Sequence, residues 1–384
     1  MIDIKFTIKS SSETDVHRPW ANERNIDMDK NGLLYYQSAR ALKLPASILE
    51  PITGMVIHLG KRTFYFRSCE TPFNGGSSIG IADNKYCTNK ILEASGFPVP
   101  KAVAFSKDVF EKEQTESLIA NLNFPLVVKP MQGTSLGDDV LCNISSIDQL
   151  KLYMGKCYQK YNFLSIEEFY PNLNSYRVLV FYQKVIGVVQ RFSARVVGDG
   201  THTIKELVEL QNIAREKLKN RVKLGPIKID EETMIRLNEL SLTVDSIPNH
   251  NETVVLCYTC NSTRGGTTKS LGKKINKDNA RLLCQAASVL GLNFVGFDVV
   301  CEDILIPISK SRGVIIEANH NPAVSIHETP LSGPRSNVTK IVLRKLIRQH
   351  PISYLIALYR DPSMRLYVHL SLLVLVVIGC RLIG

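Results

Sequence analysis

The chain has 384 residues, of which 44% are hydrophobic and 22% are charged, so it can bury one large core or two smaller ones. That composition excludes a disordered chain. A formal net charge of +11 favours anionic partners such as nucleotides, acidic substrates or phospholipid surfaces. The sequence has no run of five basic residues and only one tryptophan, Trp20, so we expect no nucleic-acid partner.

The first part of the chain, residues 1–80, alternates short apolar runs with prolines and predicts a small α/β region. A helix is predicted next over residues 84–95, with Asn84 as N-cap and Gly96 as its end. Lys85 lies in the first turn of this helix, where its ammonium can reach phosphate oxygens.

A short buried strand, residues 124–130, ends in Lys129 and leads into the loop 133–137, GTSLG. Gly133, Ser135 and Gly137 in this loop could bring backbone N–H groups and a hydroxyl to phosphates, although a plain turn is the commoner use of such a sequence. Farther on, Glu167, Glu168 and Phe169 end a strand and could frame an adenine and a ribose, or simply form an exposed acidic strand end.

Polar side chains close the strand at residues 313–319. Side chains alternate along a strand, so Glu317 and Asn319 project from the same face. If the strand containing Asp298 pairs with it as a hairpin, Asp298 joins them. Two carboxylates and an amide oxygen suit Mg²⁺, with Mn²⁺ as an alternative, while each acidic residue taken singly is more often a solvated surface group.

Nine cysteines without a framework spacing predict reduced thiols and a cytoplasmic catalytic region. Cys257 and Cys260 lie in the apolar run 253–260, so we expect two strand residues rather than half a zinc site. The first residues lack the pattern of a secretory signal, so we expect none. Residues 366–383 are almost continuously apolar and follow several arginines, which favours membrane attachment by a transmembrane helix over a buried terminal helix.

The order of these motifs resembles the ATP-grasp ligases, and within them the cyanophycin synthetases and the ligase half of the bifunctional glutathione synthetases. Three stretches carry the resemblance: residues 191–207 (RFSARVVGDGTHTIKEL), 261–266 (NSTRGG) and 316–323 (IEANHNPA), the last followed by His327 and Pro330. Together with the upstream lysines they span roughly residues 83 to 345.

The resemblance implies an α+β fold in which two subdomains clasp ATP and Mg²⁺. Its expected divisions are a region before the ATP-grasp domain (1–80), the domain itself (81–350, with an insertion at 193–261) and the apolar helix (366–383). It also implies a reaction in which a substrate carboxylate attacks the γ-phosphate and an amine then displaces phosphate from the acyl phosphate.

Roles for individual residues follow from the resemblance by position. Lys85 and Lys129 would hold phosphates, and Arg177 and Arg191 would neutralise the transferring phosphoryl group. The metal would be held by Asp298, Glu317 and Asn319, and the nucleotide would lie under the loop 133–137 and against residues 167–169.

Some positions depart from the family pattern. Asp138 and Asp139 follow Gly137 where a basic or small residue is usual, which weakens the expected phosphate contact there. Gly296 stands where the D-alanine ligase branch has an arginine, which argues against that branch. No second ligase module is present in the sequence, so polymerisation of a storage peptide is not expected.

Three hypotheses remain at this stage. The first is a stand-alone ligase acting on an amino acid or small peptide, and the second is a glutathione-synthetase-like enzyme that adds glycine to a γ-glutamyl dipeptide. The third is a nucleotide-binding pseudoenzyme or membrane adaptor, which the retained lysines and metal ligands disfavour. A homo-oligomer is compatible with all three.

Overall fold

The computed structural model describes residues 7–9, 28–50, 54–112, 114–132, 139–218 and 224–383. The chain divides into two compact units. The smaller unit comprises the chain up to Pro72, Ala323–Ser325 and the residues from Asn337 onward. The larger unit comprises Phe73–Pro322 and Ile326–Ser336.

The helices of the described residues are, in chain order, α1 (Lys30–Ala41), α2 (Gly76–Asp83), α3 (Lys85–Ala94), α4 (Lys107–Glu111), α5 (Thr115–Ile119), α6 (Ile147–Cys157), α7 (Ile204–Leu218), α8 (Glu231–Glu239), α9 (Lys277–Val289), α10 (Ser325–Glu328), α11 (Val338–Gln349), α12 (Pro351–Arg360) and α13 (Pro362–Ile383).

The strands are β1 (Thr7–Lys9), β2 (Ala46–Glu50), β3 (Gly54–Leu59), β4 (Arg62–Arg67), β5 (Ala102–Ser106), β6 (Leu126–Pro130), β7 (Leu141–Ile144), β8 (Phe163–Glu168), β9 (Asn174–Phe181), β10 (Val185–Phe192), β11 (Arg195–Val197), β12 (Thr253–Val255), β13 (Thr267–Gly272), β14 (Phe294–Cys301) and β15 (Gly313–Asn319).

The smaller unit is built on an antiparallel sheet with strand order β1-β2-β3-β4. Tyr35 of α1 and Ile57 of β3 are completely buried, so the helix covers this sheet with its apolar face. Helix α11 joins α1 through a hydrogen bond of 2.6 Å between the hydroxyls of Ser38 and Thr339. The last part of the chain therefore contributes to the fold of the first part.

The larger unit contains two main sheets. One has the order β5-β8-β6-β7, and α6 packs on β6 and β7. The other has the order β13-β10-β9-β14-β15, and α9 packs on β9 and β14. Each sheet has its own apolar core, formed with the helix that packs on it. The unit therefore contains two separate arrangements in which helices cover a sheet.

The region predicted as an insertion, residues 193–261, forms a third small core. Strands β11 and β12 pair with each other, and α7 and α8 pack beside them. Ile204, Leu237 and Val254 are each nearly fully buried in this cluster. The insertion therefore folds around its own apolar residues.

Several predicted elements are confirmed. Helix α3 begins after Asn84, whose side chain accepts a hydrogen bond from the N–H of Cys87 at 2.9 Å. Strands β9 and β10 form the predicted hairpin, and its turn places Tyr182 and Gln183 at positive φ. Strands β14 and β15 also pair antiparallel, as the proposed metal site requires.

The prediction for Cys257 and Cys260 is wrong in part. Strand β12 ends at Val255, so neither cysteine is a strand residue. The chain leaves the sheet because the buried carboxylate of Glu232 accepts hydrogen bonds from the N–H groups of Tyr258 and Thr259, both at 3.0 Å. The Glu232 carboxylate thus accepts the hydrogen bonds that a neighbouring strand would otherwise accept.

The C-terminal apolar residues form α13. Over the residues that the structure describes, no helix taken alone has the length and hydropathy needed to cross a bilayer. Pro351–Arg360 and Pro362–Ile378 meet the requirement as a pair, but they meet at an angle of 111°.

Candidate active site

One face of the five-stranded sheet carries five of the thirteen predicted site residues: Arg177, Arg191, Asp298, Glu317 and Asn319. Strand register places Asp298 of β14 directly opposite Arg177 of β9 on one side and opposite Glu317 of β15 on the other. Arg191, on β10, reaches the same face. Residues directly opposite each other on neighbouring strands share a face, so the four charged groups converge although 140 residues separate Arg177 from Glu317 in the sequence.

Asp298 is held by both arginines. Its residue is only 3% exposed, and its carboxylate accepts hydrogen bonds from Nε of Arg177 and, at 3.0 Å, from Nη2 of the same side chain. Nη2 of Arg191 lies 3.1 Å from Oδ2. Burial alone would raise the pKa of Asp298, but the charges of Arg177 and Arg191 outweigh it and hold this pKa below its usual value. The carboxylate is therefore ionised at neutral pH.

Glu317 faces the lysine that begins α3. Nζ of Lys85 lies 3.6 Å from Oε1 of Glu317, with both side chains partly buried. These two residues line a small pocket together with the backbone and side chains of α3 and β15. Lys85 therefore meets a carboxylate at the place where sequence analysis expected it to meet phosphate.

Asn319 ends β15 opposite Gly296. Its Nδ2 donates to the Gly296 carbonyl at 3.3 Å, so the amide oxygen is the atom that a cation would use. A glycine is required opposite because a Cβ at position 296 would lie 2.7 Å from Cβ of Pro322 and 3.1 Å from Cδ of Arg177. Close packing thus fixes the end of β15 over Arg177.

Lys129 lies in the four-stranded sheet and is 8% exposed. Its Nζ lies 2.8 Å from Oε1 of Glu167, which also accepts a hydrogen bond of 2.9 Å from the hydroxyl of Ser165. Burial lowers the pKa of Lys129, but the charges of Glu167 and Glu317 more than offset it, so the net pKa is raised. Lys129 is therefore a charged lysine at neutral pH.

The influence of Glu317 on Lys129 links the two sheets electrostatically. Four cations, Lys85, Lys129, Arg177 and Arg191, surround three carboxylates, Asp298, Glu317 and Glu167. The excess is positive, which favours a polyphosphate in this cluster. Each of the three carboxylates lies beside at least one of these cations.

Glu168 and Phe169 make contacts at the edge of the four-stranded sheet. Oε1 of Glu168 accepts hydrogen bonds from the N–H of Asn123 at 3.0 Å and from its Nδ2 at 2.8 Å. The N–H of Phe169 donates to the carbonyl of Pro125 at 2.8 Å. The ring of Phe169 packs edge-on against Tyr258 with centroids 5.1 Å apart, which joins this edge to the insertion.

Gly133, Ser135, Gly137 and Asp138 lie outside the described residues. Asp139, next to them, accepts a hydrogen bond of 2.7 Å from the hydroxyl of Tyr161 and lies 3.2 Å from Nζ of Lys160. Its carboxylate is therefore balanced by a local lysine.

The fit of a metal ion can be judged from the oxygen donors. No three His, Cys, Asp or Glu side chains in the described part of the chain converge so as to hold a metal ion. The predicted set instead combines two carboxylates, Asp298 and Glu317, with the amide of Asn319, all hard oxygen donors on neighbouring strands. These donors fit Mg²⁺ chemically, and in this structure Asp298 is contacted by Arg177 and Arg191.

Sequence analysis did not assign roles to the residues that support this cluster. Ser165 donates to Glu167, and the hydroxyl of Ser175 accepts from Nε and Nη2 of Arg191 at 3.4 and 3.3 Å. His327 is completely buried and its ring lies against Gly187, where an added Cβ would come within 2.6 Å of Nδ1. The alternation of β8 and β9 could have indicated the two serines, but nothing local in the sequence marks His327 as buried.

Comparison with known proteins supports the fold. The chain is 30% identical to cyanophycin synthetase of Crocosphaera subtropica over 312 residues, which cover 80% of this chain and 35% of the synthetase. It is also 30% identical to the glutathione biosynthesis bifunctional protein GshAB of Enterococcus faecalis over 270 residues, covering 69% of this chain and 35% of that protein.

A solved structure agrees. The bifunctional glutathione synthetase of Pasteurella multocida aligns with a TM-score of 0.58 and 24% identity, covering 84% of this chain and 44% of that one. No family model matches the sequence. The chain spans about a third of the length of the curated relatives it matches.

The chain has the ATP-grasp fold, so the predicted fold class is confirmed. Within that class its sequence is similar to the cyanophycin synthetases and to the GshAB proteins over most of its length, as the motifs indicated.

Proposed function

We propose that this protein is an ATP- and Mg²⁺-dependent carboxylate–amine ligase. The observation that carries the proposal is the cluster of four cations around Asp298, Glu317 and Glu167, on two sheets of one unit. Phosphoryl transfer requires positioning and charge neutralisation more than a side-chain nucleophile, and this cluster supplies both.

Each charged residue has a proposed role. Lys85 and Lys129 bind the phosphates of ATP, while Asp298, Glu317 and Asn319 would hold Mg²⁺, whose charge would offset that of the phosphates. Arg177 and Arg191 stabilise the phosphoryl group in transfer. Glu167, Glu168 and Phe169 border the nucleotide. The N–H of Phe169 already donates to the carbonyl of Pro125, so other groups at this edge of the sheet recognise the adenine.

The reaction proceeds in two balanced steps. An oxygen of the substrate carboxylate forms a bond to the γ-phosphorus, the bond to the β–γ bridging oxygen breaks, and ADP leaves. The nitrogen of an amine then attacks the acyl carbon, phosphate leaves with the electron pair of the broken C–O bond, and the amine loses a proton. The product is an amide on an amino acid or small peptide.

A narrower candidate is ligation of glycine to a γ-glutamyl dipeptide. The stretch Asn319–Ala323 and the similarity to GshAB of Enterococcus faecalis favour it. A nucleotide-binding protein without turnover is less favoured, because a chain that no longer needs catalysis has no reason to keep buried Lys129 and Asp298.

We further propose that the catalytic unit works in the cytoplasm and that the chain is held at a membrane by its C-terminal helices. The eight cysteines between Cys69 and Cys301 have free thiols, which suits a reducing compartment. The apolar helices α12 and α13 are the part of the chain that would attach.

The test of the ligase proposal is phosphate release from ATP across a panel of amino acids and dipeptides, with mass spectrometry of the product. The variant Glu317→Gln should lose phosphate release at least about 100-fold while its fold is unchanged, since it removes a ligand charge at the transferring phosphate. Glu302→Gln is the matched control, because Glu302 is exposed and pairs with Arg312 at 3.1 Å. Equal activity of both variants, or no acid-dependent phosphate release in the wild type, would reject the proposal.

A further inference from the structure

Helix α12 turns an apolar stripe outward. Ile352, Leu355, Ile356 and Tyr359 are 72, 56, 49 and 45% exposed. Their spacing of three and four residues places them on one face of the helix. A surface helix normally buries such a stripe against the rest of the protein, whereas this stripe is largely exposed to solvent.

Helix α13 exposes apolar side chains all round. Nine large side chains between Leu366 and Ile378 are each at least 49% exposed: Leu366, Tyr367, Leu370, Leu372, Leu373, Val374, Val376, Val377 and Ile378. Consecutive residues such as Leu372, Leu373 and Val374 point in different directions around a helix. The exposed surface therefore surrounds the helix and is not a single docking stripe.

Polar contacts fix the positions of α12 and of the first turn of α13. The hydroxyl of Tyr354 donates to the carbonyl of Leu42 at 2.6 Å, and Nζ of Lys43 donates to the hydroxyl of Ser363 at 3.2 Å. At the junction, Arg365 and His369 both lie against the ring of Tyr359. The ring of Tyr359 thus packs at the bend, while Ile352, Leu355 and Ile356 face outward.

Basic residues border this apolar surface. Lys61 and Arg62 are exposed on the turn after Gly60, and a Cβ at Gly60 would lie 2.8 Å from the hydroxyl of Ser353 at the start of α12. Arg360 and Arg365 are exposed at the junction of α12 and α13. Exposed Arg344 and Arg348 lie one turn apart on α11, the preceding helix. Cations therefore lie at both ends of the α12 stripe.

We propose that α12 and α13 attach this protein to an anionic lipid bilayer, with α12 lying among the headgroups and α13 entering the acyl layer. The inference rests on the membrane attachment proposed above and names the lipid chemistry and the manner of contact. The angle of 111° between the helices allows one to lie along the membrane plane while the other points into it. The bordering arginines and lysines bind acidic headgroups.

A bilayer fits these helices better than a second protein chain does. A helix that docks on a protein buries one stripe and keeps a polar opposite face, whereas a helix in lipid is apolar all round. With 22 residues and a rise of about 1.5 Å per residue, α13 is long enough to reach deep into an acyl layer. A second copy of this chain is therefore the alternative that the test must separate.

The experiment is flotation of the full chain with vesicles of phosphatidylcholine alone and with vesicles containing one quarter phosphatidylglycerol. We expect at least ten-fold more bound protein on the anionic vesicles. The variant Leu373→Glu/Val377→Glu should lose at least ten-fold in binding, and Arg360→Glu/Arg365→Glu should lose the preference for anionic vesicles. Sedimentation of each protein without lipid reports its oligomeric state.

Ile213→Glu is the matched control, because Ile213 is an equally exposed apolar residue, 59% exposed, on helix α7. It should bind vesicles as the wild type does. Failure of the wild type to float, equal loss with Ile213→Glu, or a dimer that Leu373→Glu/Val377→Glu dissociates while flotation is unchanged would overturn the proposal. Ligase activity is measured without lipid and flotation without ATP, so each proposal can fail alone.

Discussion

Asp298 is the residue through which the charged cluster is assembled. Its carboxylate contacts two guanidinium groups from two different strands; Asp298 is buried and both arginines are partly buried. Breaking such a buried pair costs about 3–5 kcal/mol, because the remaining charge is left without a partner. The same residue is a proposed metal ligand, so its stability and catalytic contributions can be measured in one variant.

We expect Asp298→Asn to lower the free energy of unfolding by about 3 kcal/mol or more, since Arg177 and Arg191 lose their shared anion. Urea unfolding at pH 7 measures this loss. Glu93→Gln provides the control, because Glu93 pairs with Lys90 at 2.8 Å on the exposed side of α3 and such pairs contribute less than about 1 kcal/mol. Equal losses in the two variants would show that the arginines do not depend on Asp298.

The pH dependence of this contribution follows from the direction of the shift. The pKa of Asp298 is lowered in the folded chain, so its stabilisation is fully present above the unfolded value of about 3.9 and is lost as the pH falls through the folded value. Asp298 therefore stabilises the fold at neutral pH, and its protonation promotes unfolding only in strong acid.

The pKa of His327 is also lowered, but the resulting change in stability begins at a less acidic pH. Burial, reinforced by the charge of Arg177, lowers the pKa of His327 from 6.5 to about 3. Between these values the unfolded chain holds a proton at this site that the folded chain lacks. The free energy of unfolding therefore falls as the pH drops, by up to about 1.4 kcal/mol per pH unit from this residue.

We predict that the difference in unfolding free energy between wild type and His327→Gln narrows as the pH is lowered from 7 to 5. Urea unfolding at several pH values measures it. His202→Gln is the control of opposite sign: the hydrogen bond that the His202 ring donates to Asp199 raises the pKa of His202, so His202 stabilises the fold below its unfolded pKa and loses this effect as the pH rises through the folded pKa. A constant difference for His327→Gln would mean that the histidine is protonated inside the fold.

At the scale of the element, the hairpins and strand order decide which residues meet. The cap of α3 is local, and Asn84 with Gly96 predicted it within one residue at each end. The β9–β10 and β14–β15 hairpins are also local, since alternation and turn residues indicate them. Placement of β9 beside β14 is not local, and only that pairing brings Arg177 to Asp298.

Residues 196–204 show that a family motif can be recognised in a sequence without its role being known. Its sequence is a specific part of the resemblance, yet Asp199 accepts hydrogen bonds from the N–H groups of Thr201 and His202, both at 2.9 Å. Thr203 and Glu206 then form reciprocal hydrogen bonds at the start of α7. In this structure the motif forms a turn and the N-terminus of α7. The sequence alone does not show whether the motif has this structural role or binds substrate.

Burial could not be predicted for the supporting residues. Gly187 sits on the same sheet face as Arg177, and the ring of His327 occupies the space above it. Nothing in the sequence around Gly187 indicates that a histidine 140 residues later requires that space. Long-range packing of this kind depends on the assembled sheet.

We expect Gly187→Ala to destabilise the protein by about 1–3 kcal/mol, because the new methyl group overlaps a ring held in a closed core. Thermal or urea unfolding measures the change. Gly80→Ala is the matched control in helix α2, where an added Cβ meets no atom within 4 Å and alanine should stabilise the helix by about 0.5–1 kcal/mol. A neutral Gly187→Ala would indicate that the His327 ring can move aside.

At the scale of the whole molecule, the charged residues considered above form two groups that differ in burial. The buried cluster of the larger unit has a positive excess suited to nucleotide phosphates, while exposed arginines and lysines of the smaller unit border the apolar helices. The formal charge of +11 predicted anionic partners but could not distinguish these two uses. Only the burial of each group separates them.

The central claim is that a substrate carboxylate is activated as an acyl phosphate, and isotope transfer tests it most directly. The wild type is incubated with Mg²⁺, ATP, an amine and the ¹⁸O-carboxylate form of whichever acid stimulates phosphate release. We predict that each phosphate released carries one ¹⁸O from the acid, with one amide formed per phosphate. Phosphate released without ¹⁸O, or in equal amount when the acid is omitted, would contradict the account.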